Sequence, residues 1–175
     1  GNSDEDEKTG VLQSTSFSLL SFERIRSAAR TLSAVFAFAP MSNTNLRVDN
    51  YAEIAHGQLV SGNYFKALGI HGMLGRPLDE ADDRAGAPPA VVISDALWQR
   101  RFQRDPAALG KILLLNGLPF TIVGVTPAGF TGALGFAFSS DFAIPLSQQA
   151  RFYPGDEKAQ PWTWWVRIMG RLDTG

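Results

Sequence analysis

The chain has 175 residues, with 16 Lys and Arg against 17 Asp and Glu and no Cys. Its 45% apolar content marks a globular chain. The near-zero net charge gives none of the basic excess on which nucleic-acid binding relies, and the lack of Cys excludes disulfides, thiolate zinc sites and Cys nucleophiles.

No apolar run approaches the roughly 20 residues that span a bilayer as a helix. The chain opens Gly-Asn-Ser rather than on Met, and it reads as a module cut from a larger protein. Asp4, Glu5, Asp6 and Glu7 precede any apolar residue, so residues 1–17 are expected to be a flexible N-terminal segment. Phe22, Ile25, Ala29 and Leu32 recur at helical spacing and predict a helix over 18–32, capped by Ser18 or Ser21. Residues 33–41 alternate as a strand that Pro40 is expected to stop. Asn43-Thr-Asn45 and Asp49-Asn50 are turn signals around a short strand at 46–48. A second strand covers 51–60, joined through Asp49-Asn50 as a hairpin.

Ser61-Gly62-Asn63 opens a short helix that Gly69 ends. Residues 70–89 read as loop, with an acidic cluster at Glu80, Asp82 and Asp83. A buried strand at 90–93 leads to Ser94, which caps a helix running to about Phe102. Strands at 111–115 and 120–125 flank Asn116-Gly117, the strongest hairpin signal in the chain. A Gly-rich loop follows, then a strand over 136–144, a helical turn over 145–152 and a strand over 162–172. The order predicts an α+β fold with mixed, mostly antiparallel sheets.

Candidate chemistry is sparse. His56 and His71 match no metal-ligand spacing. The acidic cluster lacks the alternating ligands and central Gly of a calcium loop, and reads as a surface loop or turn caps. No Gly-x-Ser-x-Gly occurs, and the Gly-rich 129–135 lacks the Gly-Lys-Ser/Thr ending of a phosphate loop. No catalytic, cofactor or metal residue is assigned. Arg100, Arg101 and Arg104 form the one dense basic group and fit an exposed helix face. The residues singled out for contact with a partner or ligand are Phe130, Leu134 and Phe136 in the Gly-rich segment and Trp165 on the mixed face of the last strand.

Four segments read together resemble one family. They are Val60-Ser-Gly-Asn-Tyr-Phe-Lys-Ala-Leu-Gly69 with Gly75-Arg-Pro; Ala90-Val-Val-Ile-Ser-Asp-Ala-Leu-Trp-Gln-Arg-Arg-Phe102; Gly110-Lys-Ile-Leu-Leu-Leu-Asn-Gly-Leu-Pro-Phe-Thr-Ile-Val-Gly-Val125 with Pro127 and Phe130; and Gly170-Arg-Leu-Asp-Thr-Gly175. In this order they are similar to the MacB-like periplasmic core domain of FtsX-like ABC-transporter permeases. The resemblance implies a periplasmic domain between the first two membrane spans of a permease. It implies two lobes, a porter-like lobe at 18–60 with 139–175 and a smaller, mainly β lobe inserted at 61–138. It implies no chemistry of its own, a parent permease, a cytoplasmic ATPase and a periplasmic adaptor as partners, and no nucleic acid. The family continues past the Arg-Leu-x-x-Gly segment. An exposed strand edge near 162–172 is therefore expected, and with it self-association of the chain. The alternative is a periplasmic module for a lipid or lipophilic compound, with its pocket around 130–138. A third reading, a hydrolase, requires His56 or His71 to meet Asp82 or Asp83 and a serine in one cleft.

Overall fold

The computed structural model describes residues 11–28, 32–71, 73–133, 139–155 and 166–172. Its strands are β1 (Val11–Phe17), β2 (Leu32–Val48), β3 (Tyr51–Val60), β4 (Leu74–Gly75), β5 (Ala90–Ile93), β6 (Ile112–Leu115), β7 (Leu118–Val125), β8 (Phe142–Pro145) and β9 (Val166–Leu172). Helices α1 (Leu19–Ala28), α2 (Tyr64–Ala67), α3 (Asp95–Phe102) and α4 (Gln149–Phe152) complete the α+β fold.

The nine strands form one sheet in the order β1-β9-β2-β3-β8-β5-β7-β4, with β6 pairing both β2 and β7. Pairing is antiparallel except for β3–β8 and β5–β7. The double pairing of β6 closes the circuit β2–β3–β8–β5–β7–β6 back onto β2. The result is a small barrel whose interior is filled by side chains rather than by a ligand. Leu46, Ala55, Val91, Ile93, Leu113, Leu115, Phe120, Ile122, Phe142 and Ile144 belong to that core, none more than 2% exposed. Alternate residues of the same strands face the other way. Phe36, Phe38, Val60, Val92 and Ala143 join Tyr64 and Phe65 of α2 in a second cluster. This period of two lets one set of strands serve two cores.

The seam of the barrel is short. Leu46 pairs with Leu115 and Arg47 with Leu114. Asn116 secures it: its Oδ1 accepts from the Asn45 N–H at 2.8 Å, and its own N–H donates to the Asn45 carbonyl at 2.8 Å. Asn116 and Gly117 both have positive φ, 48° and 80°, as the two-residue hairpin turn requires.

Several expectations change. The segment expected to be flexible through residue 17 contains β1, which pairs with β9 from Val11–Arg171 to Phe17–Val166. The described part of β9 is therefore no edge, because it lies between β1 and β2, so the basis for self-association through that strand falls. Helix α1 ends at Ala28 and Leu32 already belongs to β2. Pro40 does not stop β2. It pairs with Gln58 on one side, while the other side of β2 is taken by β9 up to Phe38 and by β6 only from Leu46. A proline there removes no ladder bond on the open side. Asn43-Thr-Asn45 is not a turn between strands but part of a bulge within β2, where Ser42 and Asn43 oppose His56 and Asn43 has φ 53°. Two residues of the expected loop, Leu74–Gly75, form β4.

Candidate functional site

Of the residues singled out for contact, Phe130 is described, and Leu134, Phe136 and Trp165 lie outside the described residues. Phe130 is half-buried against the second core cluster, 6.0 Å from the Phe65 ring. Phe65 in turn meets Tyr64 edge-on at 5.2 Å, and Tyr64 meets Phe36 at 5.6 Å. The loop carrying Phe130 is held at a second point. The Tyr64 hydroxyl donates to Gln58 Oε1 at 3.0 Å and accepts from the Ala133 N–H at 3.0 Å. Burial pushes the Tyr64 phenol up to about 12, although the Ala133 N–H favours its ionised form. The described part of the loop thus rests on the core. The cavity beneath it, lined by Gln58, Tyr64, Thr126 and Phe130 among others, measures only about 20 Å³. That volume takes a water, whereas small-molecule sites run to roughly 300–1,000 Å³.

A larger concavity, about 600 Å³, lies between α2 and residues 77–81. Phe65, Ile70, Pro77 and Leu78 line it together with Lys66, His71, Asp79 and Glu80. Its walls touch where Gly62 approaches the backbone of Asp79 and Glu80. A Cβ on Gly62 would lie 2.6 Å from the Glu80 Cα. Asp83 fixes this contact by accepting from the Gly62 N–H at 3.1 Å and the Ser147 N–H at 2.8 Å. Burial raises the Asp83 carboxyl pKa, and those N–H donors offset it only in part. Asp82 behaves oppositely. Burial alone would raise its pKa, but two bonds from Arg76, at 2.7 and 2.9 Å, and one from the Asp79 N–H hold the carboxyl below its ordinary value. Glu80 pairs with Arg26 of α1. The acidic cluster is thus a set of structural tethers.

The hydrolase constellation does not assemble among the described residues. The concavity contains His71 but neither Asp82, Asp83 nor a serine. His56 is exposed on β3, with its backbone bonded to Asp141. Nor does any group of three His, Asp or Glu residues suited to a metal ion occur among the described residues.

Arg100 and Arg101 of α3, and Arg104 just beyond it, are not a free basic face. Arg100 bridges Glu53 at 2.9 Å and Asp141 at 2.8 Å, Arg101 pairs with Glu53, and Arg104 pairs with Asp95 at 2.7 Å. Burial works to raise the Glu53 carboxyl pKa, but the two guanidinium partners hold it below its ordinary value. This joint, formed by residues far apart in the chain, anchors α3 to β3. The sequence offered no signal for it beyond the charges themselves. It also offered little warning of the apolar side chains left exposed on the barrel, Ile54 and Ile112, or of Tyr51, whose ring lies under the Arg101 guanidinium.

Similar architectures occur in solved structures of transporter domains. The extracellular domain of the noncanonic ABC-type transporter YknZ from Gram-positive bacteria matches 91% of this chain and 75% of its own, at TM-score 0.66 and 16% identity. The periplasmic region of MacB from Actinobacillus actinomycetemcomitans matches 100% of this chain and 73% of its own, at TM-score 0.69 and 21% identity. A domain of a permease protein from Porphyromonas gingivalis matches 93% and 65%, at TM-score 0.65 and 16% identity. No curated protein sequence matches the chain. The fold is the one seen in these extracellular and periplasmic transporter domains. The sequence model of the MacB-like periplasmic core domain matches residues 3–175, and the chain belongs to that family. It is accordingly a periplasmic or extracytoplasmic domain of an ABC-transporter-type permease.

Proposed function

We propose that the domain is non-catalytic and couples ATP hydrolysis at a cytoplasmic ATPase to export or envelope work through contacts with partner proteins. The observation that carries this reading is β2. Its 17 residues run from the β1–β9 layer into the barrel, bending at the Ser42–Asn43 bulge, a span of at most about 55 Å at ~3.3 Å per residue. A strand paired on both sides of such a bulge still acts as a strut between the two layers. Strands β1 and β9 lie side by side, with Val11 opposite Arg171, so segments preceding and following the domain meet it at one end. Motion delivered there by the parent's membrane spans would reach the barrel as a rigid-body displacement. The two-lobe division belongs to the same proposal. On that division residues 18–60 with 139–175 would supply the base and half of the barrel, and residues 61–138 would add β4–β7 with helices α2 and α3.

The test uses spin labels in the parent permease. Labels at Ser27 on α1 and Ala96 on α3 should keep their mutual distance between nucleotide-free and ATP-bound states. The distance from either label to a membrane-embedded site should change. A change between Ser27 and Ala96, or none relative to the membrane, would overturn rigid coupling.

The second reading, a module for a lipid or lipophilic compound, gains no pocket from the described part of the Phe130 loop. Its place would be the concavity beside α2, whose 600 Å³ falls in the range of small-ligand sites. Titration with a short-chain lipid would support it only if the NMR shift changes gather on Phe65, Ile70 and Leu78.

A further inference from the structure

The outer face of the barrel is covered unevenly. Where β3 continues through Gln58 and Val60, α2 and the Phe130 loop lie over it. Towards the β2–β3 hairpin nothing among the described residues covers it. A row of side chains crosses four strands there in register: Ala52 of β3 opposite Arg47 of β2, Arg47 opposite Leu114 of β6, and Leu114 opposite Pro119 of β7. Ile54 lies on one side of this row and Ile112 on the other, each 61% exposed. These two are among only four large hydrophobic residues exposed in the described chain, and Tyr51, 59% exposed, stands at the end of the same hairpin. Arg47 is exposed at the centre of the row and has no ion-pair or hydrogen-bond partner among the described residues.

We infer that this face, centred on Arg47, docks a second protein through an apolar surface that carries a carboxylate. The inference rests on the partner-contact reading above and assigns that contact to a place. Arginine within an apolar patch is a frequent energetic centre of interfaces, because a guanidinium gains most when a carboxylate meets it away from water. The charges exclude the other occupants. A second copy docked face to face about this centre would oppose Arg47 to Arg47. Asp49 in the hairpin turn is the one acid close to Arg47 along β2, and Lys111 beside Ile112 carries its ammonium over the Phe102 ring of α3, so the face holds no surplus of acid to relieve that repulsion. A lipid surface calls for about four to eight clustered basic residues, and this face carries one.

The experiment places the photo-crosslinker p-benzoylphenylalanine at Ile54, at Ile112 and, as a control, at exposed Glu23 of α1, in the parent permease in its own cells. Ile54 and Ile112 should give adducts to the same protein and Glu23 should not. Arg47→Glu should lower both adducts about tenfold, while Arg47→Lys keeps most of them. Because the Arg47 side chain has no ion-pair or hydrogen-bond partner among the described residues, Arg47→Glu should leave the thermal midpoint within about 2 °C, separating lost docking from lost folding. Reversing the charge of the crosslinked partner's carboxylate should restore the adduct with Arg47→Glu. No adduct, adducts only to lipid or to a second copy, or adducts insensitive to Arg47→Glu would overturn the proposal. The spin-label distances report coupling independently. A nucleotide response without adducts sinks this face alone, and adducts without a nucleotide response sink the coupling alone.

Discussion

The Phe142 ring lies directly over Gly57, its partner in the parallel β3–β8 ladder, so closely that a Cβ on Gly57 would fall 2.2 Å from the ring edge. Glycine is required here by space and not by backbone angle. The ring occupies the volume that any other side chain would claim, and it does so within the packed core of the barrel. Gly57→Ala should destabilise the domain by about 1–3 kcal/mol, the usual range for overpacking. Phe142→Leu in the same chain should recover part of that loss by withdrawing the ring. Urea unfolding of the single and double variants measures both, and purely additive losses would contradict the packing account.

Tyr64 joins α2, the β3 strand and the Gly-rich loop through a single hydroxyl. Tyr64→Phe leaves the Gln58 Oε1 and the Ala133 N–H without their partner and should cost about 1–2 kcal/mol. The more telling readout is local. Hydrogen exchange at the Ala133 amide should accelerate strongly while the amides of β5 and β7 keep their protection. The phenol's pKa near 12 fixes the pH sense. The folded value is raised, so this contribution is complete below the ordinary tyrosine value of about 10. It is lost as pH rises towards 12.

Local signals carried most of the fold that sequence reasoning reached. Asn116-Gly117, the strand over 51–60 and the Ser94 cap, whose Oγ accepts from the Leu97 N–H at 3.1 Å, are fixed by neighbours in sequence and stand where expected. What was not legible depends on partners far along the chain. Val11–Phe17 has a mixed, half-polar pattern behind an acidic start, and only β9, more than a hundred residues later, makes it a strand. Pro40 reads as a stop until the ladder shows that one side of β2 is unclaimed at that position. Closure of the barrel through β6 leaves no trace in periodicity. The candidate surface was illegible for a related reason. Ile54 reads as an ordinary strand residue, and only its exposure among the described residues gives it meaning.

Asp82 and Asp83 are chain neighbours whose carboxyl groups are shifted in opposite directions. The Asp82 value is depressed, so its stabilisation is present above the ordinary carboxylate range and lost as pH falls through the folded value. The Asp83 value is raised, so its contribution is complete at low pH and is lost as pH rises through the folded value. Asp82→Asn should therefore cost most near neutral pH, about 2 kcal/mol for a broken charged pair, and progressively less as pH falls below the ordinary carboxylate range. For Asp83→Asn the difference from the native chain should be largest in acid and shrink as pH climbs. Unfolding free energies measured from acid to neutral pH test this, and two difference curves of the same slope would refute the assignment.

Asn116 does two jobs that can be separated. Its backbone takes the positive φ of the turn, and its side chain holds the seam by accepting from the Asn45 N–H. Asn116→Gly tolerates the turn at least as well but removes the side-chain acceptor. Asn116→Ala removes the acceptor and also strains the turn. Glycine should cost about 1 kcal/mol, the net value of one hydrogen bond. Alanine should cost more, by about a further 1 kcal/mol for a Cβ residue held in the left-handed region. In both variants the loss should centre on the seam, with faster exchange at the Asn45 amide and in β6 and unchanged protection in β9. If the amides of β6 keep native protection in Asn116→Gly, the two backbone pairs Leu46–Leu115 and Arg47–Leu114 suffice to close the barrel, and the side chain of Asn116 is not what holds it shut.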